Sequence, residues 1–271
     1  MNCRYALLTL PLFLSGCVVH LGPGSCTGAD YVTEETLELT ASDLSRLKVM
    51  AEAGDIRIEG EPGRDTIRVD AKIYQSEPGA NEHDFRLLSD GNTAHLYATQ
   101  SYSAGCWSNT PRIDMVVKVP AEMALDLEDG SGELVILGMA GTLNVVDGSG
   151  DLTIDGGQEL VLNDGSGDAR ISNIQGNVEV DDGSGELWLS AIGGDLTLDD
   201  GSGDLSVQQV AGRVTIEDGS GDLSVEQVEG MVTVDDGSGD IQVRQTGGFN
   251  LIDGGSGGLS LEQVNGSVTL K

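Results

Sequence analysis

From residue 129 to residue 271, apolar and polar residues alternate in two short bursts, and the pair of bursts returns about every 18 residues. We number each unit from the first residue of its Asp-Gly-Ser-Gly tetrapeptide. Position 6 is then apolar in all eight units: Leu134, Leu152, Ala169, Leu187, Leu205, Leu223, Ile241 and Leu259. Position 8 is always Ile, Leu or Val. Position 15 is mostly Leu or Val, and position 17 runs from Val145 through Ile252 to Leu270. Ser, Thr, Arg, Gln and Glu fill the places between. A period of two in two bursts predicts two strands per unit, and frequent glycine leaves no run long enough for a helix.

The tetrapeptide starts at Asp129, Asp147, Asp164, Asp182, Asp200, Asp218 and Asp236, with a degenerate Gly-Gly-Ser-Gly at Gly254. A second turn carries Gly at position 13 (Gly141, Gly194, Gly212 and others), where a positive φ would let the chain reverse. Two strands and two turns close one coil. Like coils stack about 4.8 Å apart, so the expected fold is all-β, a parallel β-solenoid of stacked repeats. Two irregularities stand out. The unit at Asp147 has 17 residues, with Gly156 and Gly157 where an apolar position 11 belongs, and predicts a kink. Asn250 falls at core position 15, so either it is buried with partners or the strand slips and Phe249 or Leu251 turns inward.

Upstream, "LKVMAEAGDIRIEG", "DTIRVDAKIY", "AHLYATQ" and "IDMVVKVP" alternate without the strict period. They predict irregular coils of the same solenoid that cap its N-terminal end, with a loop around residues 76–84. The organisation is a signal segment over 1–16, a tether over 17–36, irregular coils over 37–128 and the regular stack over 129–271.

Charge narrows the partners. The formal net charge of −31 argues against nucleic acid, whose phosphates must be met by Lys and Arg. It also disfavours direct electrostatic binding to anionic headgroups. At the N-terminus, Arg4 precedes an apolar stretch over 5–14, too short to span a bilayer. Leu14-Ser15-Gly16-Cys17 then resembles the lipobox of bacterial lipoproteins. That resemblance implies cleavage before Cys17, lipidation of Cys17 and, with Val18 following, sorting to the outer membrane. An ordinary signal peptide that ends in Cys is the competing reading. Acyl chains give about 0.8 kcal/mol per buried methylene, enough in combination for a stable membrane anchor. Cys3 leaves with the signal. Cys26 and Cys106 remain as an even pair in an oxidising compartment and are expected to form a disulfide, two free thiols being the alternative.

The plan as a whole resembles the adhesin-like families of bacterial surface proteins related to the head GIN domain. The likeness rests on "LKVMAEAGDIRIEG", on "VVKVPAEMALDLEDGSGELVILGMAGTL" and on the Gly-Ser-Gly-Asp coils, and covers residues 37–271. It implies a surface role and little chemistry.

The acids recur as strictly as the core: Asp at position 1, Asp or Glu at position 5, often another at position 18. Stacked carboxylates about 4.8 Å apart repel by roughly 0.9 kcal/mol even at the dielectric of water. Two readings compete. In one, position 1 accepts backbone N–H groups in an Asx-turn and the charges are solvated along an edge. In the other, the edge binds divalent cations, Ca2+ first, as a calcium-dependent surface module. The spacing departs from calcium β-rolls, since Asp follows the second Gly one place early. Acids identical in every coil lack the differing environments of a catalytic pair, and His20, His83 and His95 all lie outside the repeats. A carbohydrate-active β-helix is therefore the weakest reading. No catalytic residue, metal-ligand set or cofactor motif is assigned. Gln209, Gln227, Gln245 and Gln263 form a ladder that reads as structure, and Trp188, at outward position 7, reads as a cover for a neighbour. The expectation is a non-enzymatic outer-membrane lipoprotein of the cell envelope for adhesion, scaffolding or envelope interaction. Its partners are the membrane, through the lipid, and an envelope protein or polysaccharide, with at most weak Ca2+ binding.

Overall fold

The computed structural model describes residue 29 and residues 31–75, 83–100 and 111–271. Its N-terminal strands are β1 (Tyr31–Thr40), β2 (Arg46–Ala51), β3 (Ile56–Glu61), β4 (Thr66–Gln75), β5 (His83–Asp90), β6 (Thr93–Gln100) and β7 (Arg112–Pro120). The regular part begins with β8 (Ala124–Asp129), β9 (Leu134–Leu137), β10 (Leu143–Asp147), β11 (Leu152–Gly157), β12 (Leu160–Asp164), β13 (Ala169–Ile174) and β14 (Val178–Asp182). It continues with β15 (Leu187–Ile192), β16 (Leu196–Asp200), β17 (Leu205–Val210), β18 (Val214–Asp218), β19 (Leu223–Asp236), β20 (Ile241–Asp253), β21 (Leu259–Val264) and β22 (Val268–Leu270).

The strands form the two faces of a parallel β-solenoid of about eight turns. One face runs β1, β4, β7, β3, β9, β11, β13, β15, β17, β19, β20, β21. The other runs β5, β6, β2, β8, β10, β12, β14, β16, β18, β19, β20, β22. Long β19 and β20 contribute to both. In the repeats strand residues pair with counterparts 17 or 18 places on, such as Leu196 with Val214, and 19 places on in the last ladder, where Phe249 pairs with Val268. Positions 6, 8, 15 and 17 meet between the faces and are buried through Val234, and position 11 joins them (Ile174, Ile192, Val210, Val228). Each such side chain contributes about 1.5–3 kcal/mol when fully buried.

The N-terminal region is more rearranged than irregular coils. The coil of β2 and β3 lies between that of β6 and β7 and that of β8 and β9, out of chain order. Beyond it, β4 pairs antiparallel with β7 and β1, and β5 antiparallel with β6. These strands close the end of the stack. Strand β1 is paired from Tyr31, inside the segment read as a tether to residue 36. Residues 83 and 84, placed in a loop, belong to β5.

The 17-residue coil keeps its ladders. Leu143 pairs with Leu160 and Gly157 with Ile174 in unbroken register. Gly157 takes the position-11 place, where Leu143 and Ile174 close over it. The missing residue is taken from the second turn. At Asn250 the strand slips, the second of the two expected outcomes. Phe249 aligns with Val232 and Leu251 with Val234, and both are buried. Ile252, read as core position 17, is 42% exposed instead. Position-13 glycines do not have positive φ. They are needed because coils touch there: a Cβ on Gly212 would overlap the Gly194 carbonyl.

Candidate functional site

The Asp-Gly-Ser-Gly turns stack into one edge, and their backbones are hydrogen-bonded from coil to coil. The position-2 amide donates to the preceding coil's position-1 carbonyl, as Gly201 N does to Asp182 O at 2.8 Å. The position-4 amide donates to the next coil's Ser carbonyl, as Gly203 N does to Ser220 O at 2.9 Å. Both glycine amides are thereby used, and the Ser amide is the donor left for the Asp side chain. Ser202 N reaches Asp200 Oδ1 at 3.1 Å, and Ser238 N reaches Asp236 Oδ1 at 3.2 Å.

The position-1 aspartates are not solvated. Asp129, Asp147, Asp164, Asp182, Asp200, Asp218 and Asp236 are 1–5% exposed, which corrects the reading of this position as part of a hydrated edge. Apart from the two Oδ1 atoms just named, their carboxyl oxygens are buried without a well-formed hydrogen bond. Burial, then the neighbouring carboxylates, pushes Asp164 and Asp200 up to about 7. Burial first also raises Asp129, Asp147 and Asp218 to about 6, and raises Asp182 and Asp236. Adjacent turn amides oppose these shifts without cancelling them.

Position 5 does what was expected of position 1, but between coils. Asp204 Oδ1 accepts Asp222 N at 3.0 Å, Asp222 accepts Asp240 N at 3.0 Å, and Asp240 accepts Gly258 N at 2.8 Å. The ladder starts before the repeats: Asp114 accepts Asp55 N, and Asp55 accepts Glu133 N. Each carboxylate thus satisfies a turn amide of the next coil. At position 18, Asp181, Asp199, Glu217, Asp235 and Asp253 face outward on successive strands. The last four line an open trough with the turn backbone. Among the described residues no three His, Cys, Asp or Glu are placed to share a metal ion.

The opposite corner has its own signature. Position 10 is left-handed in every coil: Gly138 and Gly156, then Asn173 (φ 59°), Ala191 (57°), Gln209 (58°), Gln227 (60°), Gln245 (54°) and Gln263 (56°). This bend shifts the alternation by one residue and turns position 11 inward. Asn173, Gln209, Gln227 and Gln245 line an open groove of about 950 Å3 together with Gln175 and Asn265. The Gln ladder read from the sequence is therefore a row of corner residues. Nearby in sequence, Arg170 lies over the Trp188 ring, 3.9 Å from its centroid, so Trp188 does cover a neighbour.

Cys17, Cys26 and Cys106, the lipidation and disulfide positions, lie outside the described residues, as does His20. His83 Nδ1 is 3.0 Å from Gln75 Nε2, and His95 stacks near Tyr97. Both histidines belong to the cap.

No curated protein matches the chain. A crystal structure of a "putative lipid binding protein" from Parabacteroides distasonis is similar, at 18% identity and a TM-score of 0.50, over 88% of this chain and 97% of that one. A "putative adhesin" from Parabacteroides merdae shares 12% identity at a TM-score of 0.47, over 88% of this chain and 96% of the other. At such identities the first likeness speaks to the fold alone. The family match runs over residues 33–270, spanning the antiparallel cap and the coils together, and by it the chain belongs to the Toastrack DUF4097 family.

Proposed function

We propose that the chain is a lipoprotein anchored at the outer membrane through Cys17, and that its solenoid is a non-catalytic surface for adhesion, scaffolding or envelope interaction. Repetition carries this reading. The same carboxylate, amide and corner groups recur coil after coil, so no described coil is set apart from its neighbours as a single centre would be. Faces of this sort suit an extended partner, such as a polysaccharide or another envelope protein, met at many equivalent points. A calcium module has less support, because one carboxylate oxygen of Asp168, Asp204, Asp222 and Asp240 at position 5 already accepts a backbone N–H of the next coil.

The anchor is tested by Cys17→Ser. The variant is expected in the soluble fraction, without incorporated labelled fatty acid. A variant that stays with membranes and still takes up the label overturns the anchor. The released protein then serves as bait: retention of envelope polysaccharide or protein without chemical change supports a binding surface, and turnover of the polysaccharide overturns the non-catalytic role.

A further inference from the structure

Where the described chain takes a positive φ, it uses glycine at every place but one. The exception is position 10. All six non-glycine residues with positive φ among those described occupy it, one per coil: Asn173, Ala191, Gln209, Gln227, Gln245 and Gln263. The corner itself accepts glycine, since Gly138 and Gly156 hold the same place in the first two coils. A side chain in this conformation costs energy that glycine avoids. Four successive coils nevertheless keep glutamine, so the bend does not account for it, and strain of this kind points to a use for the side chain.

The glutamines do not serve one another. Stacked amides can bond along a ladder, but among the described residues the side chains of Gln209, Gln227, Gln245 and Gln263 form no hydrogen bond, and all four are exposed. Each keeps a carbonyl acceptor and an NH2 donor free, repeated at the coil spacing of about 4.8 Å. Three of them line the open groove, and the one charged residue in its lining is Glu229. The opposite edge, by contrast, carries carboxylates in coil after coil.

The geometry points to this groove as the binding site of an extended, neutral polysaccharide whose hydroxyl groups bond to the corner amides coil by coil. Hydroxyls donate and accept as amides do, so one type of side chain can meet every sugar. A straight, cellulose-like chain advances by roughly one coil spacing per sugar and meets an equivalent amide at each step. An acidic polymer would be repelled by the net charge of −31, and a basic one drawn to the carboxylate edge. A peptide strand needs pockets for its side chains, and the larger apolar residues of the lining, Ile174, Ile192, Val210 and Val228, are buried. The inference rests on the reading of the solenoid as a non-catalytic binding surface and names its partner.

The test titrates the soluble Cys17→Ser protein with cellohexaose and with N-acetylated chitohexaose, two straight neutral hexasaccharides, by calorimetry and by NMR of the glutamine NH2 groups. At least one is expected to bind and to shift the NH2 signals of Gln209, Gln227 and Gln245. Combining Gln209→Gly, Gln227→Gly and Gln245→Gly should weaken binding at least about tenfold, three hydrogen bonds being lost. The same variant should keep or raise the urea midpoint, because glycine relieves the left-handed corners. The groove is overturned as the site if neither hexasaccharide binds, or if the triple variant binds as well as its parent. A lower midpoint overturns it too, since the glutamines would then be kept for stability, and so does tighter binding of hexagalacturonate or of an unstructured peptide. Turnover of a bound hexasaccharide strikes the non-catalytic reading instead and leaves the groove as its site.

Discussion

Ala191 and Gly203 are small residues in neighbouring coils, and each is constrained by backbone rather than by side-chain packing. Ala191 sits at the left-handed corner with φ 57°, a conformation that costs an L-residue roughly 1–2 kcal/mol. Ala191→Gly removes that cost and gives back a fraction of it as chain entropy. The expected gain is about 0.5–1 kcal/mol, read as a rise in the urea midpoint; an unchanged or lower midpoint would contradict the corner argument. Gly203 has φ 146°, and a Cβ there would overlap the Gly185 carbonyl oxygen. Gly203→Ala must both strain the backbone and push neighbouring coils apart, at about 2–5 kcal/mol. The sequence makes the glycine legible, because it recurs in every coil. It does not make the corner legible, because Gln is a poor signal for positive φ. The clue lay in its company: Gly138, Gly156 and Asn173 occupy the same position as Gln209, and these are the residue types that tolerate it.

Across each pair of strands, alternation exposes the core because one face of every strand is buried and the other wet. The same rule contained the burial of the aspartates. Positions 15, 17 and then 1 of the next unit share one parity, so position 1 extends the inward row; Asp at a turn suggested hydration and concealed it. This ladder makes stability depend on pH in an unusual sense. A carboxyl whose folded pKa lies above its unfolded value near 4 binds its proton more tightly when folded. Its contribution is full below about 4 and is lost as pH rises through 6 to 7, the values of Asp129, Asp147, Asp164, Asp200 and Asp218. The ion-paired acids of the cap act the other way. Arg57 lowers Glu59 and Arg68 lowers Asp70, so their contribution fails only as pH falls below about 4. The urea midpoint should therefore climb as pH is lowered from about 8 to about 5. Asp200→Asn, which keeps the shape and drops the charge, should raise the midpoint at the alkaline end of that window and gain little at the acid end. A midpoint that rises with pH across this window would mean that the ladder is charged and satisfied.

At the scale of the molecule, the regular stack and the cap follow different rules. Residues 129–271 hold twenty-six acids against four bases, a net −22 of the chain's −31. Their order in space follows their order in sequence, and the period alone foretold it. The cap was legible only as β-structure. Antiparallel closure by β1, β4 and β5, and the insertion of the β2–β3 coil between later ones, depend on long-range pairing that no local pattern records. This difference yields a test of the architecture itself. In a stack, each coil touches only its neighbours, and stability is close to a sum of coil and interface terms. Residues 182–199, 200–217 and 218–235 have matching cores in matching register. Removing 200–217 leaves Asp199 leading into Asp218 through the same turn it had before, with Leu187 stacked on Leu223 and Leu196 on Val232. Such a deletion should keep the β-sheet circular dichroism and a single cooperative transition, at a somewhat lower midpoint. Removing 200–208 instead joins a strand of one face to the corner of the other and reverses which side chains face inward. That shorter deletion should abolish the transition. If both deletions were tolerated alike, or if loss of one whole coil unfolded the protein, the coils would not be the interchangeable units that their 18-residue period and ladders make them.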